Sequence, residues 1–275
     1  MREVVCALAV LVLGGTGVAG SLTVAELRRR GHEVRILSRK AGAVEGGVAG
    51  DLLTGDGLAA ALSGVDTVVD TSNFATMNYE KAAGMFEASM RRIGELAPAA
   101  GVTHLVVLSI VGVDKAPFGY YAAKLRQERA ALGGPLPATV VRATQFHDFP
   151  AQILGQLRFG PIALVPAMRT QPVATSEVAA ALADAVEAGP AAGDRAGDVG
   201  GPRVESMPDL VRRVVRSRHQ RVLVVTVPMP GKWGKAIRRG DVLLDKAIAG
   251  RGPTFEEWLD GHPAGWSTSD AKTAA

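Results

Sequence analysis

The stretch VLVLGGTGVAGSLTVAELRRRGHEVRILSR, Val10 to Arg39, decides the fold. It opens as an unbroken apolar run, passes through a glycine turn, continues as a helical pattern that ends in arginines before Gly31, and closes as a second apolar run. In the turn, Gly15-x-Gly17-x-x-Gly20 follows a strand directly and opens a helix. In that context each glycine has a physical reason. The early ones allow the tight turn and close approach of the backbone to a pyrophosphate, and the last lets helix and strand pack closely. The phosphates of a dinucleotide would lie at the helix N-terminus, where free N–H groups and the dipole favour anions. Gly14, Gly15, Thr16, Gly17, Val18 and Gly20 make up the expected phosphate loop.

The end of the second strand selects the dinucleotide. An acidic residue there would bind the adenosine ribose hydroxyls of NAD(H). Ser38, Arg39 and Lys40 stand there instead. A guanidinium makes charge-assisted bonds to a 2′-phosphate that a carboxylate would repel. NADP(H) is the expected cofactor, with NAD(H) as second choice.

Outward from this stretch, strand and helix patterns alternate. Strands are expected at 8–13, 33–38, 67–70, 104–109 and 139–143, with helices at 21–30, 57–62, 79–99 and 121–132. The alternation implies βαβ units in an α/β fold, a Rossmann-type doubly wound parallel sheet. After Phe149 proline and glycine become frequent. A helix is expected at 175–187, a last strand near 197–200, a basic helix at 208–218 and a short helix at 255–259. The expected organisation is a dinucleotide-binding core over 1–149, a C-terminal portion with a small substrate-binding lobe over 150–266, and a flexible tail over 267–275.

Composition sets bounds. The 275 residues are 47% hydrophobic and 21% charged, enough for a full core and unlike a disordered chain. The apolar run from Val4 to Leu13 is too short to span a bilayer and feeds straight into the glycine turn, so it reads as a strand rather than a leader. The single cysteine, Cys6, excludes an internal disulfide framework and fits a reducing cytoplasm. Five scattered histidines offer no metal-binding cluster. The net charge of +4 raises the question of nucleic acid. Yet Arg212, Arg213, Arg216, Arg218, His219 and Arg221 spread around a helix without aromatic partners, the pattern of a solvated helix. Neither a nucleic-acid nor a membrane partner is expected; monomer and homodimer stay open.

Tyr120-Tyr121-Ala122-Ala123-Lys124 puts a phenol and an ammonium one helical turn apart. An ammonium beside a phenol lowers its pKa, so the phenol can act as general acid toward a carbonyl. The strand at 104–109 ends in Ser109 at the carboxyl edge of the sheet, where ligands bind in open α/β folds. Tyr121 shares helical spacing with Lys124, so the donor is Tyr120 or Tyr121. The aromatic and apolar residues Phe146, Phe149, Phe159, Met168 and Trp233 suggest a modest hydrophobic pocket.

Over most of its length the chain resembles the atypical short-chain dehydrogenase/reductase superfamily, in its NmrA-like NAD(P)-binding branch. The resemblance rests on GGTGVAG (14–20), GDL (50–52), GVDTVVD (64–70), HLVVLSIVGVD (104–114), GYYAAKLRQE (119–128), VRATQFHDF (141–149), QPV (171–173) and GGP (200–202). It implies that Asp51, with Leu52 beside it, contacts the adenine, and that Thr71, Ser72 and Asn73 line the ribose side. It implies further that Lys124 holds the nicotinamide ribose, Tyr120 donates the proton and Ser109 orients the substrate carbonyl. The segment 144–149 would lie beside the nicotinamide, with Gln145, Phe146, His147 and Phe149 toward the substrate. Ser109 and Tyr120 lie closer together in sequence than in the better-known catalytic branch.

The expected function is NAD(P)H-dependent oxidoreduction of a small, apolar carbonyl or alcohol. The alternatives are a non-catalytic NADP(H)-sensing regulator and an epimerase or dehydratase that retains its nucleotide.

Overall fold

The computed structural model describes residues 7–39, 44–74, 76, 78–191 and 195–261. Six parallel strands form the main sheet: β1 (Ala9–Leu13), β2 (Glu33–Ser38), β3 (Gly47–Ala49), β4 (Thr67–Asp70), β5 (His104–Ile110) and β6 (Ala138–Ala143), in the order β3-β2-β1-β4-β5-β6. The order reverses between β1 and β4, and at such a switch point the strand ends diverge into a crevice.

Burial explains the composition of the strands. Val10 and Val12 of β1 point into one core with Ile36, Val69, Val106 and Val141, while Leu11 and Leu13 point into the other with Val68, Leu105 and Val107. A strand covered on both faces cannot alternate with polar residues, which is why β1 reads as a continuous apolar run. Helices α1 (Val18–Arg29) and α6 (Thr175–Ala188) cover the first face. Helices α2 (Leu58–Leu62), α3 (Tyr79–Leu96) and α4 (Tyr120–Leu132) lie on the second, with α3 and α4 packed along each other.

The α/β sheet and its core elements are those expected, with shifts at the ends. Helix α3 stops at Leu96 rather than 99, and Pro98 begins a separate 3₁₀ turn over Pro98–Ala100. Proline has no N–H for the helical ladder and constrains the residue before it. The strand expected near 197–200 is reduced to two parallel bridges, Val140 to Arg195 and Ala143 to Val199. The Gly197 and Gly200 that flank it have no side chains to pack on the sheet. Strand β3 was not expected, since Gly47-Val48-Ala49 is too short and too poor in β-formers to show a period.

The C-terminal lobe contains α5 (Phe149–Gln156), β7 (Arg158–Phe159), β8 (Ile162–Pro166), β9 (Arg169–Thr170), β10 (Glu205–Ser206), α7 (Met207–Ser217), β11 (Leu223–Val227), α8 (Gly231–Arg239) and α9 (Phe255–Asp260). A small sheet in the order β11-β8-β7 turns Ala163, Val165 and Val224 inward onto Leu210, Val211 and Val214 of α7. Its other face exposes Ile162, Leu164, Leu223 and Val225. On the basic helix, Arg212 pairs with Asp209 at 2.6 Å and Arg213 with Glu205 at 3.2 Å. Among the described residues no helix is long and apolar enough to cross a membrane. The expected tail over 267–275, like Cys6 and Lys40, lies outside the described residues.

Candidate functional site

The glycine turn leads from β1 into α1. Gly14 has φ +73°, the left-handed region where glycine costs least, and a Cβ there would come within 2.8 Å of the Ser72 backbone. A Cβ on Gly20 would stand 2.1 Å from the Gly14 carbonyl oxygen, so the first turn of α1 closes on the loop only with glycine. Gly17 is the N-cap of α1, with no side-chain cap and no acidic residue in the first turn. The first N–H groups of the helix thus meet no anionic side chain. Gly15 is buried against Ile36, and Thr16 and Val18 are half-buried beside it.

The strand ends next to this loop supply the polar groups. Beyond β2, Ser38 is half-buried and Arg39 is exposed. Beyond β3, Asp51 accepts from the Leu53 N–H at 2.7 Å, and Leu52 packs against the second core. Beyond β4, the Thr71 hydroxyl donates to the Leu13 carbonyl at 2.8 Å, tying the ends of β4 and β1 together. The Ser72 hydroxyl is buried beside the Asp70 carboxyl. The Ser109 hydroxyl near the end of β5 is buried and has no hydrogen-bond partner among the described residues. An unsatisfied buried hydroxyl costs about 1–3 kcal/mol, and one at this sheet edge suits a polar ligand. The turn that admits no Cβ, the uncapped helix and this hydroxyl fit a dinucleotide.

Helix α4 brings its N-terminal end to the same edge. Tyr120 Oη donates to Asn73 Oδ1 at 2.8 Å, and its ring meets Phe86 edge-on at 6.3 Å. Burial, with added pressure from Asp70 and Tyr121, pushes this phenol well above its ordinary range, so it stays protonated. Tyr121 faces the lobe. Its hydroxyl accepts from Gln145 Nε2 at 3.0 Å, its ring meets Trp233 at 6.5 Å, and burial pushes it up to about 12. The Lys124 ammonium is buried, donating to the Leu108 carbonyl at 2.7 Å and to Gln127 Oε1, with the Phe86 ring centroid 4.9 Å away. Burial pushes it down to about 8, against the pull of Asp70 and Glu128. An open cleft of ≈ 680 Å³ lies beside Tyr120, lined by Asn78, Tyr79, Glu80, Gly119 and Ala122.

The residues that follow β6 join the core to the lobe. Gln145 accepts from the Thr170 hydroxyl at 2.6 Å while donating to Tyr121. His147 is fully buried, with Nε2 3.2 Å from the Pro253 carbonyl and its ring between Phe255 and Trp258. Phe149 packs on the lobe core, but Phe146 packs on the first core of the main sheet. Of the five residues expected to share a pocket, Phe149, Met168 and Trp233 meet at the lobe core, whereas Phe146 lies on the main sheet and Phe159 is 64% exposed on β7.

Two polar residues that sequence reasoning passed over lie under the site. Asp70 is fully buried at the end of β4, and Gln127 is fully buried on α4. Their signal was a lone carboxylate closing the apolar run TVVD and an amide three residues beyond Lys124. A buried ion pair was missed as well: Arg142 of β6 grips Glu128 of α4 at 2.8 and 2.6 Å, and reaches Asp114 at 3.0 Å.

Residues 14–188 match the NAD(P)H-binding family. The chain belongs to that family. No curated protein matches its sequence. Solved structures share the fold at low identity. One is a short-chain dehydrogenase/reductase superfamily protein from Agrobacterium tumefaciens with bound NAD, at 20% identity and TM-score 0.66 over 97% of this chain and 96% of that one. A second is the Citrobacter sp. triphenylmethane reductase complexed with NADP(H), at 16% identity and TM-score 0.64 over 97% and 100%. A third is a nucleoside-diphosphate-sugar epimerase from Staphylococcus aureus, at 15% identity and TM-score 0.69 over 91% and 99%. The atypical short-chain dehydrogenase/reductase resemblance read from the sequence agrees with both the family and the fold.

Proposed function

We propose that the chain is an NADP(H)-dependent oxidoreductase that reduces a small, apolar carbonyl compound or oxidises the corresponding alcohol. The observation that carries this reading is Tyr120. A protonated phenol hydrogen-bonds to Asn73 at the switch-point edge, one turn from the buried Lys124, and Ser109 brings a buried hydroxyl without a partner among the described residues to the same end of the sheet. When bound, the reduced nicotinamide supplies the hydride. Gly14, Gly15, Gly17 and Gly20 shape the phosphate loop, and the exposed Arg39 is free to reach a 2′-phosphate. Ser72 and Asn73 face the ribose side. Ser109 Oγ orients the substrate carbonyl, and Tyr120 Oη holds the proton that passes to the carbonyl oxygen in reduction. Tyr121 is the weaker candidate, because its hydroxyl serves Gln145 and its ring packs on Trp233.

The test compares Tyr120→Phe with Tyr121→Phe on a panel of small aldehydes and ketones, following NADPH oxidation. Loss of general acid catalysis lowers turnover about 100-fold or more in Tyr120→Phe while NADPH still binds. Unchanged turnover in both variants removes the mechanism.

A second reading, an NADP(H)-sensing regulator, draws support from Lys124, whose ammonium is bonded inward to Leu108 and Gln127. Under it, no member of the panel oxidises NADPH although the cofactor binds. Any robust turnover excludes it.

A further inference from the structure

The groups around Lys124 form a directed chain. Lys124 Nζ donates to Gln127 Oε1, Gln127 Nε2 donates to Asp70 Oδ2 at 2.7 Å, and the Ser72 N–H donates to Asp70 Oδ1 at 2.8 Å. The Ser72 and Gln127 N–H groups both donate to Asp70, an arrangement that favours the ionised carboxylate against the burial that raises its pKa. The amide of Gln127 can take only one orientation, with its oxygen toward the ammonium and its nitrogen toward the carboxylate. Two buried opposite charges are thus separated by one neutral amide, with Asp70, Lys124 and Gln127 all buried.

We infer that Asp70 and Gln127 are positioning residues for Lys124: Asp70 supplies the counter-charge that keeps the lysine protonated, and Gln127 fixes the ammonium at the sheet edge. This rests on the reading of Lys124 as a cofactor-holding residue. A buried lysine loses its proton readily unless an opposite charge faces it. The structure provides few candidates for that charge. From β4 there is Asp70, and from α4 itself Glu128 and the neutral phenols Tyr120 and Tyr121. From β5 there is only the Leu108 carbonyl among the groups bonded to Lys124, and from α3 the Phe86 ring. Glu128 is engaged by Arg142 through both carboxylate oxygens, so its charge is compensated already. Among the described residues no guanidinium or second ammonium bonds Asp70; burial raises its carboxyl above the ordinary range, opposed first by the Ser72 hydroxyl and then by the charge of Lys124.

The chain also reaches the cofactor edge through Ser72. The same residue bonds Asp70 through its N–H, turns its hydroxyl to the same carboxyl and supplies the backbone against which Gly14 fits. The Lys124 charge and the position of the ribose-side loop are therefore set by one carboxylate.

The test uses the full chain and reads the Lys124 charge directly, by NMR of 13Cε-labelled lysine across pH. The Lys124 signal is identified by its loss in Lys124→Arg. Asp70→Asn is expected to move the Lys124 midpoint down by about one pH unit or more, a roughly tenfold drop in the protonated-to-neutral ratio. The double variant Asp70→Asn/Gln127→Glu exchanges amide and carboxylate while keeping net charge, and is expected to restore the midpoint. NADPH affinity should follow, falling in Asp70→Asn and recovering in the double variant. If Asp70→Asn does not fold, Gln127→Met breaks the chain with Asp70 kept, and the same fall in NADPH affinity is expected. An unchanged midpoint in Asp70→Asn overturns the inference, as does a shift that the charge-exchanged variant fails to reverse. Lys124→Met separates the two readings. If it binds NADPH as the wild type does, the cofactor-holding role of Lys124 falls. If it weakens binding while Asp70→Asn does not, only the positioning role falls.

Discussion

At the N-terminal end of β5, His104 is buried with Nε2 2.9 Å from Thr139 Oγ1, and burial pushes its imidazole from 6.5 down to about 4. The unfolded chain takes up this proton near its ordinary value, whereas the folded chain resists until about 4. Stability from this group is complete above the unfolded value and is lost as pH falls through the window between 6.5 and 4. The loss amounts to about 2–3 kcal/mol. Urea denaturation at neutral and acid pH checks it: His104→Gln should show a flatter profile than the wild type. Residues of this kind were hard to read in the sequence, because a histidine opening an apolar strand looks the same whether it titrates or not. The same holds for Asp70 and Gln127. Each is an ordinary polar residue until β4 and α4 bring them together. Tyr120 and Tyr121 are a parallel case, since spacing alone left both as donors, while their partners differ completely.

Among the elements, the glycine turn into α1 was the most legible, because strand, turn and helix agree locally. Gly20 is the position where that agreement is tightest. Gly20→Ala would place a Cβ 2.1 Å from the Gly14 carbonyl and force the first turn of α1 off the loop. Such overpacking costs about 1–3 kcal/mol, and it should also abolish NADPH binding at the displaced loop. Gly84, inside α3, is the control. A Cβ there meets nothing within 4 Å, so Gly84→Ala should bind NADPH normally and gain about 0.5–1 kcal/mol. Thermal melts with and without NADPH separate the two. The lobe elements were less legible for reasons that differ. Helix α5 begins with Phe149-Pro150, and the proline reads as a breaker although it is tolerated in a first helical turn. Strands β8 and β11 pair in parallel across the 56 residues that separate them, a register that no local period reveals.

For the whole molecule, the order β3-β2-β1-β4-β5-β6 gathers the loops after β1, β2, β4 and β5 at one edge, together with the start of α4. This convergence follows from the right-handed crossover of each βαβ unit, so the sequence alternation was enough to anticipate it. The lobe is joined to that edge by buried polar links. Gln171 donates to the Gly201 carbonyl at 2.8 Å and accepts from the Leu244 N–H at 3.2 Å, and Gln145 connects Thr170 to Tyr121. The glycine turn, the loop after β4 and the start of α4 meet at one edge, and the proposed binding of NADP(H) there is the claim on which the rest depends. Titration of the wild type with NADPH and NADH, followed by nicotinamide fluorescence, tests it most directly, with Arg39→Ala alongside. NADPH should bind at least about tenfold more tightly than NADH, by the charge-assisted bond to the 2′-phosphate, and Arg39→Ala should erase most of the difference. Equal affinity for both nucleotides with no effect of Arg39→Ala, or no binding of either, would contradict it.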